Sequence, residues 1–159
     1  MIQRIQTLLF FVAAICFTVA CFMPVGTITT HDAYYLLDSW TLKENIPDGA
    51  VVYPTYFIGI LQIMLALTSF VAIFLYKKRS TQSKLCIAAI FGNFVLILLM
   101  LWGYPDYILP KMSPIAHTEM VSSLSLWAML SVLPLGCLYF ANKYIIKDEK
   151  KIRAADRLR

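Results

Sequence analysis

Four uninterrupted apolar stretches divide the chain, and each is close to the length of a helix that crosses a bilayer. They run from about residue 5 to 23, 55 to 76, 85 to 103 and 120 to 141, and none contains Asp, Glu, Lys, Arg or His. Helices of soluble proteins usually carry a polar stripe. Because a spanning helix needs about 20 apolar residues, the pattern predicts an all-α membrane protein with a bundle of four transmembrane helices.

The segment from residue 24 to 54, between the first two spans, has a different pattern. "GTITT", "YYLLDSWTL" and "AVVY" are rich in β-branched and aromatic residues and are separated by Asp, Asn, Pro and Gly, which is typical of short strands joined by turns. We expect a small antiparallel sheet of two or three strands over one end of the helices. Its aromatic residues, Trp40 among them, suit a lipid–water boundary; an aromatic ligand site is the alternative.

Composition excludes a water-soluble domain. Hydrophobic residues make up 60% of the 159 positions and charged residues 14%, against roughly 45–50% and about 25% in soluble domains. A soluble fold of this size has no interior large enough for so much apolar surface, so lipid is the expected solvent. The length suits one integral membrane domain.

The net charge of +5 is sorted along the chain rather than spread evenly. Arg4 precedes the first span, four basic residues lie at 77–84, and seven lie in a tail at 143–159, so that twelve of the fourteen share one side of the predicted spans. The other two share the segments 24–54 and 104–119 with six acids. The positive-inside rule therefore predicts both termini in the cytoplasm and both larger loops outside.

Groups that carry catalysis or bind metals are sparse. His31 and His117 lie in the two loops on the acidic side, a pattern too weak for a metal site, so no metal or cofactor is expected. The spans hold no charged residue that would mark a proton or ion path. No phosphate-binding loop, catalytic triad or nucleic-acid module can be assembled. We expect a protein that is not an enzyme and binds no nucleic acid.

The cysteines also give no indication of an enzyme. No Cys-x-x-Cys pair occurs, which argues against a thiol oxidase and favours small buried hydrophobic residues. All four fall inside predicted spans: Cys16, Cys21, Cys86 and Cys137.

Two amides are the strongest polar groups within the spans. Gln62 lies in the second span and Asn93 near the middle of the third. An amide in hydrocarbon seeks a partner on another helix, so we expect both to bond between helices, with contact to a substrate as the alternative. Pro134 and Gly136 are expected to bend the fourth helix.

Both ends of the chain carry a more specific pattern. "MIQRIQTLLF" opens the sequence and "DEKKIRAADRLR" closes it. These segments resemble an uncharacterised family of small four-span inner-membrane proteins of Bacteroidota-type bacteria, classed as a domain of unknown function. The resemblance implies an integral membrane protein and no catalytic residue. Because both ends are predicted on one side, we expect them to form a contact surface, with Arg4, Arg153, Asp156 and Arg157 as polar contacts.

These observations lead to one expected function and one alternative. The first is a non-enzymatic scaffold or accessory subunit that meets a membrane or cytoplasmic protein partner. The alternative is a binder or carrier of a lipid-like or other apolar small molecule within the bundle, with Asn93, Gln62 and the Pro134 kink lining its pocket. Nothing in the sequence determines an oligomeric state.

Overall fold

A computed structural model describes residues 2–29, 34–45, 51–103 and 121–156. This part of the chain is mostly helical and includes a small antiparallel sheet. The long helices are α1 (Ile2–Ala20), α2 (Tyr56–Phe74), α3 (Arg79–Leu98) and α4 (Leu133–Asp156). The strands are β1 (Pro24–Thr29), β2 (Tyr34–Asp38), β3 (Thr41–Glu44), β4 (Val51–Pro54) and β5 (Val121–Leu124).

In the part of the chain that the structure describes, three helical segments are long and apolar enough to cross a membrane. They are Tyr56–Phe74, Arg79–Gly103 and Leu126–Ile152. The apolar part of α1, Ile5–Ala20, is shorter. About two-thirds of the apolar window in each of the three segments lies on the surface, since only 33%, 28% and 28% of those windows is buried. Apolar surface of this extent needs a lipid environment.

The four helices pack in a ring, in the order α1–α2–α3–α4, with α4 closing against α1. A short connection joins α2 to α3: a 3₁₀ turn at Leu75–Lys77 followed by Lys78. The helix α3 therefore starts six residues before the apolar span predicted from residue 85. Its first turns are polar but contain no Pro or Gly, so nothing interrupts the helix where the apolar pattern ends.

The sheet has five strands in the described residues, in the order β4-β3-β2-β1-β5, rather than the two or three expected. Four strands come from the segment 24–54. The fifth, β5, pairs antiparallel with β1 and lies within the stretch 120–141 that was predicted as helix. The short sequence "VSSL" precedes a long apolar run, so hydropathy alone assigned it to that run. The fourth helical segment accordingly begins with a 3₁₀ turn at Leu126–Ser131.

Trp40 joins the sheet to two helices. Its indole Nε1 donates a hydrogen bond to the carbonyl of Cys21, just after α1, at 3.0 Å. The ring lies over Gly59 in α2, where an added Cβ would stand 2.8 Å from the nearest ring atom. The backbone N–H of Gly59 in turn donates to the carbonyl of Ser39 at 3.0 Å. The sheet thus lies at the end of the bundle where α1 ends and α2 begins, called the sheet end below.

The contact between Gly59 and Trp40 is the basis of a stability prediction. Gly59→Ala places a methyl group against the indole ring, and forced repacking of this kind costs about 1–3 kcal/mol. We expect a lower thermal unfolding temperature in detergent, read by the loss of helical circular dichroism.

Gly136→Ala is the matched control, because an added Cβ there meets nothing within 4 Å. In a helix, Ala in place of Gly is favourable by roughly 0.5–1 kcal/mol. Equal unfolding temperatures for the two variants would contradict the assigned role of Trp40.

Candidate functional site: the polar seam between the helices

Each helix buries one line of residues spaced alternately by three and four positions, and these four lines meet along the centre of the ring. This arrangement, called the seam, has the spacing of left-handed helix packing. The seam residues of α1 and α2 are Gln6, Phe10, Ala13, Phe17, Ala20, Ile58, Gln62, Leu65, Ser69 and Ala72. Those of α3 and the fourth helical segment are Gln82, Cys86, Ala89, Asn93, Leu96, Met100, Ser131, Pro134, Leu138, Ala141 and Ile145.

Polar side chains at the end opposite the sheet, called the basic end, bond across the helices. Gln6 Nε2 in α1 donates to Asp148 Oδ2 in α4 at 3.0 Å. Gln82 Nε2 in α3 donates to the carbonyl of Ala72 in α2 at 2.9 Å. Gln6 and Gln82 are both almost fully buried, so each bond satisfies a polar group that has little access to solvent.

Two further bonds join α3 to α4 in the same half of the seam. Ser83 Oγ donates to Asn142 Oδ1 at 2.8 Å. The Cys86 thiol donates to the carbonyl of Leu138 at 3.2 Å. With the bonds of Gln6 and Gln82, three of the four helix interfaces carry a side-chain hydrogen bond in this half of the bundle.

The amides of Gln62 and Asn93 have a different environment. Both side chains are 0% exposed. Neither the nitrogen nor the oxygen of either amide has a hydrogen-bond partner in the described part of the chain, and the same is true of Ser131 Oγ. Buried polar atoms in native proteins are nearly always bonded, so these five atoms mark an exceptional region of the seam.

Pro134 lies in the first turn of α4. It is the second residue of the helix, and it follows the 3₁₀ turn that ends at Ser131. Proline fits the first turn of a helix because the N–H it lacks would have no partner there. Pro134 also occupies a buried seam position, and the bend expected at Pro134 and Gly136 stays a prediction.

The residues of the expected contact surface lie at the two chain ends. Arg4 lies within α1, and Arg153 and Asp156 lie within α4, but their side chains are outside the described residues, as is Arg157 altogether. What the structure does show is that the two segments lie together, since Gln6 bonds to Asp148.

Acid–base and metal chemistry have weak support in the described residues. Burial raises the pKa of the Asp38 carboxyl in β2, and the charge of Lys43 opposes that rise. A single perturbed carboxyl is not an acid–base pair. No group of three His, Cys, Asp or Glu residues that could hold a metal occurs in the ranges described. The predicted loop histidines, His31 and His117, lie outside them.

Two apolar grooves open on the sides of the bundle. The larger, about 380 Å³, lies between α1 and α2 beneath Trp40, with Phe17 and Ala66 in its lining. The smaller, about 160 Å³, lies between α3 and the 3₁₀ turn, beside Met100 and Met129. Neither is lined by Gln62, Asn93 or Pro134, so these two grooves are not the pocket expected from those residues.

Comparison with known families places the whole chain. Residues 2–158 match the family described as a domain of unknown function, DUF4293. The chain belongs to this family. No curated protein matches it. Membership in DUF4293 confirms the expected family of unknown function, and it assigns no activity to any residue.

Sequence reasoning missed most of the seam. It singled out Gln62 and Asn93 but not Gln6, Gln82 or Asp148, because these three lie at or beyond the edges of the apolar stretches. The spacing of the sequence indicates both glutamines. Gln82 lies eleven positions before Asn93, which is three seam steps of four, three and four residues. Gln6 lies four positions before Phe10 and is therefore the first residue of the seam line in α1.

The bond between Gln6 and Asp148 gives a second testable prediction. Asp148→Ala removes the acceptor and leaves a buried donor unsatisfied, which costs about 1–3 kcal/mol. We expect this variant to unfold at a lower denaturant concentration than the wild-type protein in mixed micelles.

Asp148→Asn is the control, because its amide oxygen still accepts from Gln6. The Asn variant should keep most of the stability lost in the Ala variant. If both variants unfold at the same denaturant concentration as the wild-type protein, the bond does not stabilise the fold.

Proposed function

We propose that this chain is a four-span protein of the bacterial inner membrane, and that it acts as a non-enzymatic scaffold or accessory subunit of a membrane assembly. Support for the fourth span comes from α1, which has 19 residues and is therefore about 28 Å long, close to the thickness of the hydrocarbon layer. It packs along both α2 and α4, two helices that are apolar enough to span.

The charges support an orientation with both termini in the cytoplasm. Lys78 and Arg79 lie at the α2–α3 connection, and Lys84 lies in the first turns of α3. Lys143 lies near the middle of α4, and Lys147 lies one turn further on. All of these are at the basic end, opposite the sheet. Basic residues beside spans are retained on the cytoplasmic side, which puts the sheet outside.

Labelling of single cysteines tests this orientation. After the four native cysteines are replaced, Lys43→Cys in β3 and Lys150→Cys in α4 each place a thiol at an exposed position. A membrane-impermeant maleimide should label the cysteine at 43 in intact spheroplasts, and the cysteine at 150 only after the membrane is permeabilised. Labelling of position 150 in intact spheroplasts would contradict the proposed orientation and indicate the opposite one.

The observation that carries the scaffold proposal is the bond between Gln6 and Asp148. It holds the start of α1 against α4, so residues from the two ends of the chain share one surface. Beyond Asp148, α4 continues to Asp156, about 12 Å further. Lys150, Lys151 and Ile152 are exposed on this extension. A mixed charged and apolar helix that extends beyond the bundle suits contact with a protein partner.

Purification under gentle conditions tests the scaffold. A tagged chain extracted in mild detergent should retain a specific partner protein, and the double variant Arg4→Glu/Arg153→Glu should lose it, because both changes reverse a charge on the proposed surface. Lys84→Glu is the matched control, since it reverses an exposed charge at the same end of the bundle but on α3.

Two outcomes would contradict the scaffold. One is a chain that stays monomeric and without a partner in every mild detergent. The other is a partner lost equally from the double variant and from the Lys84 control, which would indicate a general effect of charge at the basic end.

The alternative, a carrier of a lipid-like molecule, has less support. The grooves beneath Trp40 and beside Met129 have volumes of about 380 and 160 Å³. Both open on the sides of the bundle that face lipid in the proposed arrangement. Ordinary acyl chains would fill such grooves without any carrier function. The polar groups that could orient a ligand, Gln62 and Asn93, line neither of them.

A further inference from the structure

Four unbonded amide atoms at the centre of an apolar bundle need an explanation. Gln62 and Asn93 are both 0% exposed, and none of their nitrogen and oxygen atoms has a partner within the described residues. Transfer of an amide to an apolar medium without a hydrogen bond costs roughly 2–7 kcal/mol. Other seam groups of the same kind are satisfied: Ser69 Oγ donates to the carbonyl of Leu65 at 2.9 Å, and Gln82 is bonded as described above.

The packing of α2 against α3 brings the two amides into one region. A Cβ added to Gly92 in α3 would stand 2.9 Å from Leu65 Cδ2 in α2, so these two residues are in contact. Asn93 follows Gly92 directly, and Gln62 lies about one turn from Leu65. The amides therefore belong to the same or adjoining layers of the seam.

We propose that Gln62 and Asn93 form an internal hydration site, in which buried water supplies the hydrogen bonds that the protein does not. Each amide has two N–H donors and an oxygen with two lone pairs. A direct bond between the two amides would leave most of these groups unsatisfied. A buried water typically makes about three bonds to otherwise unsatisfied groups, so one or a few waters between the helices account for all four atoms.

The size and charge of the site favour water over a larger ligand. The close contact between Gly92 and Leu65 leaves little room, and neither apolar groove is lined by Gln62 or Asn93. Both side chains are neutral, so they offer no counter-charge to an ion. A water-sized neutral molecule that both donates and accepts meets these conditions.

Ser131 indicates the side from which water enters. Its hydroxyl is also buried and unbonded, and it lies on the seam line of the fourth helical segment. Along that line, Ser131 is two seam positions before Leu138 and closer to the sheet end. A polar group at this place offers a step between the sheet end and the amides, whereas the layer of Phe10 and Ile145 on the other side is apolar.

Radiolytic hydroxyl labelling of the full-length protein, read by mass spectrometry, tests the site. X-ray exposure makes hydroxyl radicals from water in place, so buried side chains beside bound water are oxidised and dry ones are not. Phe17 is the reporter, because it lies beside Ile63 and Ala66 of α2, next to Gln62. Phe10 is the matched control: it has the same side chain, lies on the same seam line of α1, and is also 0% exposed.

The wild-type protein should show labelling of Phe17 well above that of Phe10. In the variant Gln62→Leu/Asn93→Leu the amides are replaced by side chains that hold no water, and labelling of Phe17 should fall to the level of Phe10. If that variant fails to fold, the single variants Gln62→Leu and Asn93→Leu take its place, because Phe17 also lines the groove beneath Trp40 and the wild-type comparison alone does not separate the two sources of water.

Three results would overturn the hydration site. Equal, low labelling of Phe17 and Phe10 in the wild-type protein would show a dry centre, in which the amides bond each other. Labelling of Phe17 that survives in the folded double variant would place the water elsewhere. A small molecule found by native mass spectrometry on the wild-type protein, and absent from the double variant, would replace water with another ligand.

Discussion

The constraint on which this structure depends is that polar groups between the helices must be satisfied inside the protein. The outer faces of the helices are apolar and suited to lipid, so bulk water has no access from the sides. At the basic end the protein meets this requirement with its own groups, through the bonds of Gln6 and Gln82. Nearer the sheet, the amides of Gln62 and Asn93 are not met by any described protein group. In the half of the seam at the basic end, protein groups satisfy the buried polar side chains. In the half nearer the sheet, the two amides need hydrogen-bond partners from outside the described protein groups.

The sheet has a mechanical role in this arrangement. Trp40 bonds to the end of α1 and covers Gly59 at the start of α2, and β5 leads directly into the fourth helical segment. The starts or ends of three helices are thereby fixed relative to one another by one small structure. At the opposite end the short α2–α3 connection and the bond between Gln6 and Asp148 hold the remaining pairs. Both ends of the bundle are tied, and the centre is left to the packing of the seam.

The hydropathy pattern predicted the elements correctly where a whole segment lies in one environment, either lipid or water. The apolar runs in α2 and α3 and the strands of the segment 24–54 follow from their residues. Failures occurred where two patterns overlap. The strand β5 was absorbed into an apolar run, and the first turns of α3 were excluded from the helix because they are charged. Pro134 lies in the first turn of α4, a place that hydropathy does not distinguish from the interior of an apolar run.

The candidate site was predictable only in part, for a related reason. Gln62 and Asn93 stand out because any amide in an apolar run is unusual. Gln6 and Asp148 lie where polar residues are expected, and only the packing of α1 against α4 shows that one is buried and bonded to the other. A search for alternating spacings of three and four that includes the edges of the apolar stretches and continues past them would have included Gln6 and Gln82. Which groups find a partner depends on distances that no spacing supplies.

The pairing of β1 with β5 has a consequence for biogenesis. Thr27 and Ser123 bond through their hydroxyl groups at 2.7 Å although 96 positions separate them. One edge of β1 therefore stays unpaired until the chain has been translated past β5, which ends at Leu124 of the 159 residues. During insertion, β2 can already pair with β1, with β3 and β4 following on the far side of β2. The other edge of β1 meanwhile remains open to another nascent chain. Arrival of β5 closes that edge and delivers the last helix to its place, so completion of the sheet and completion of the bundle are one event.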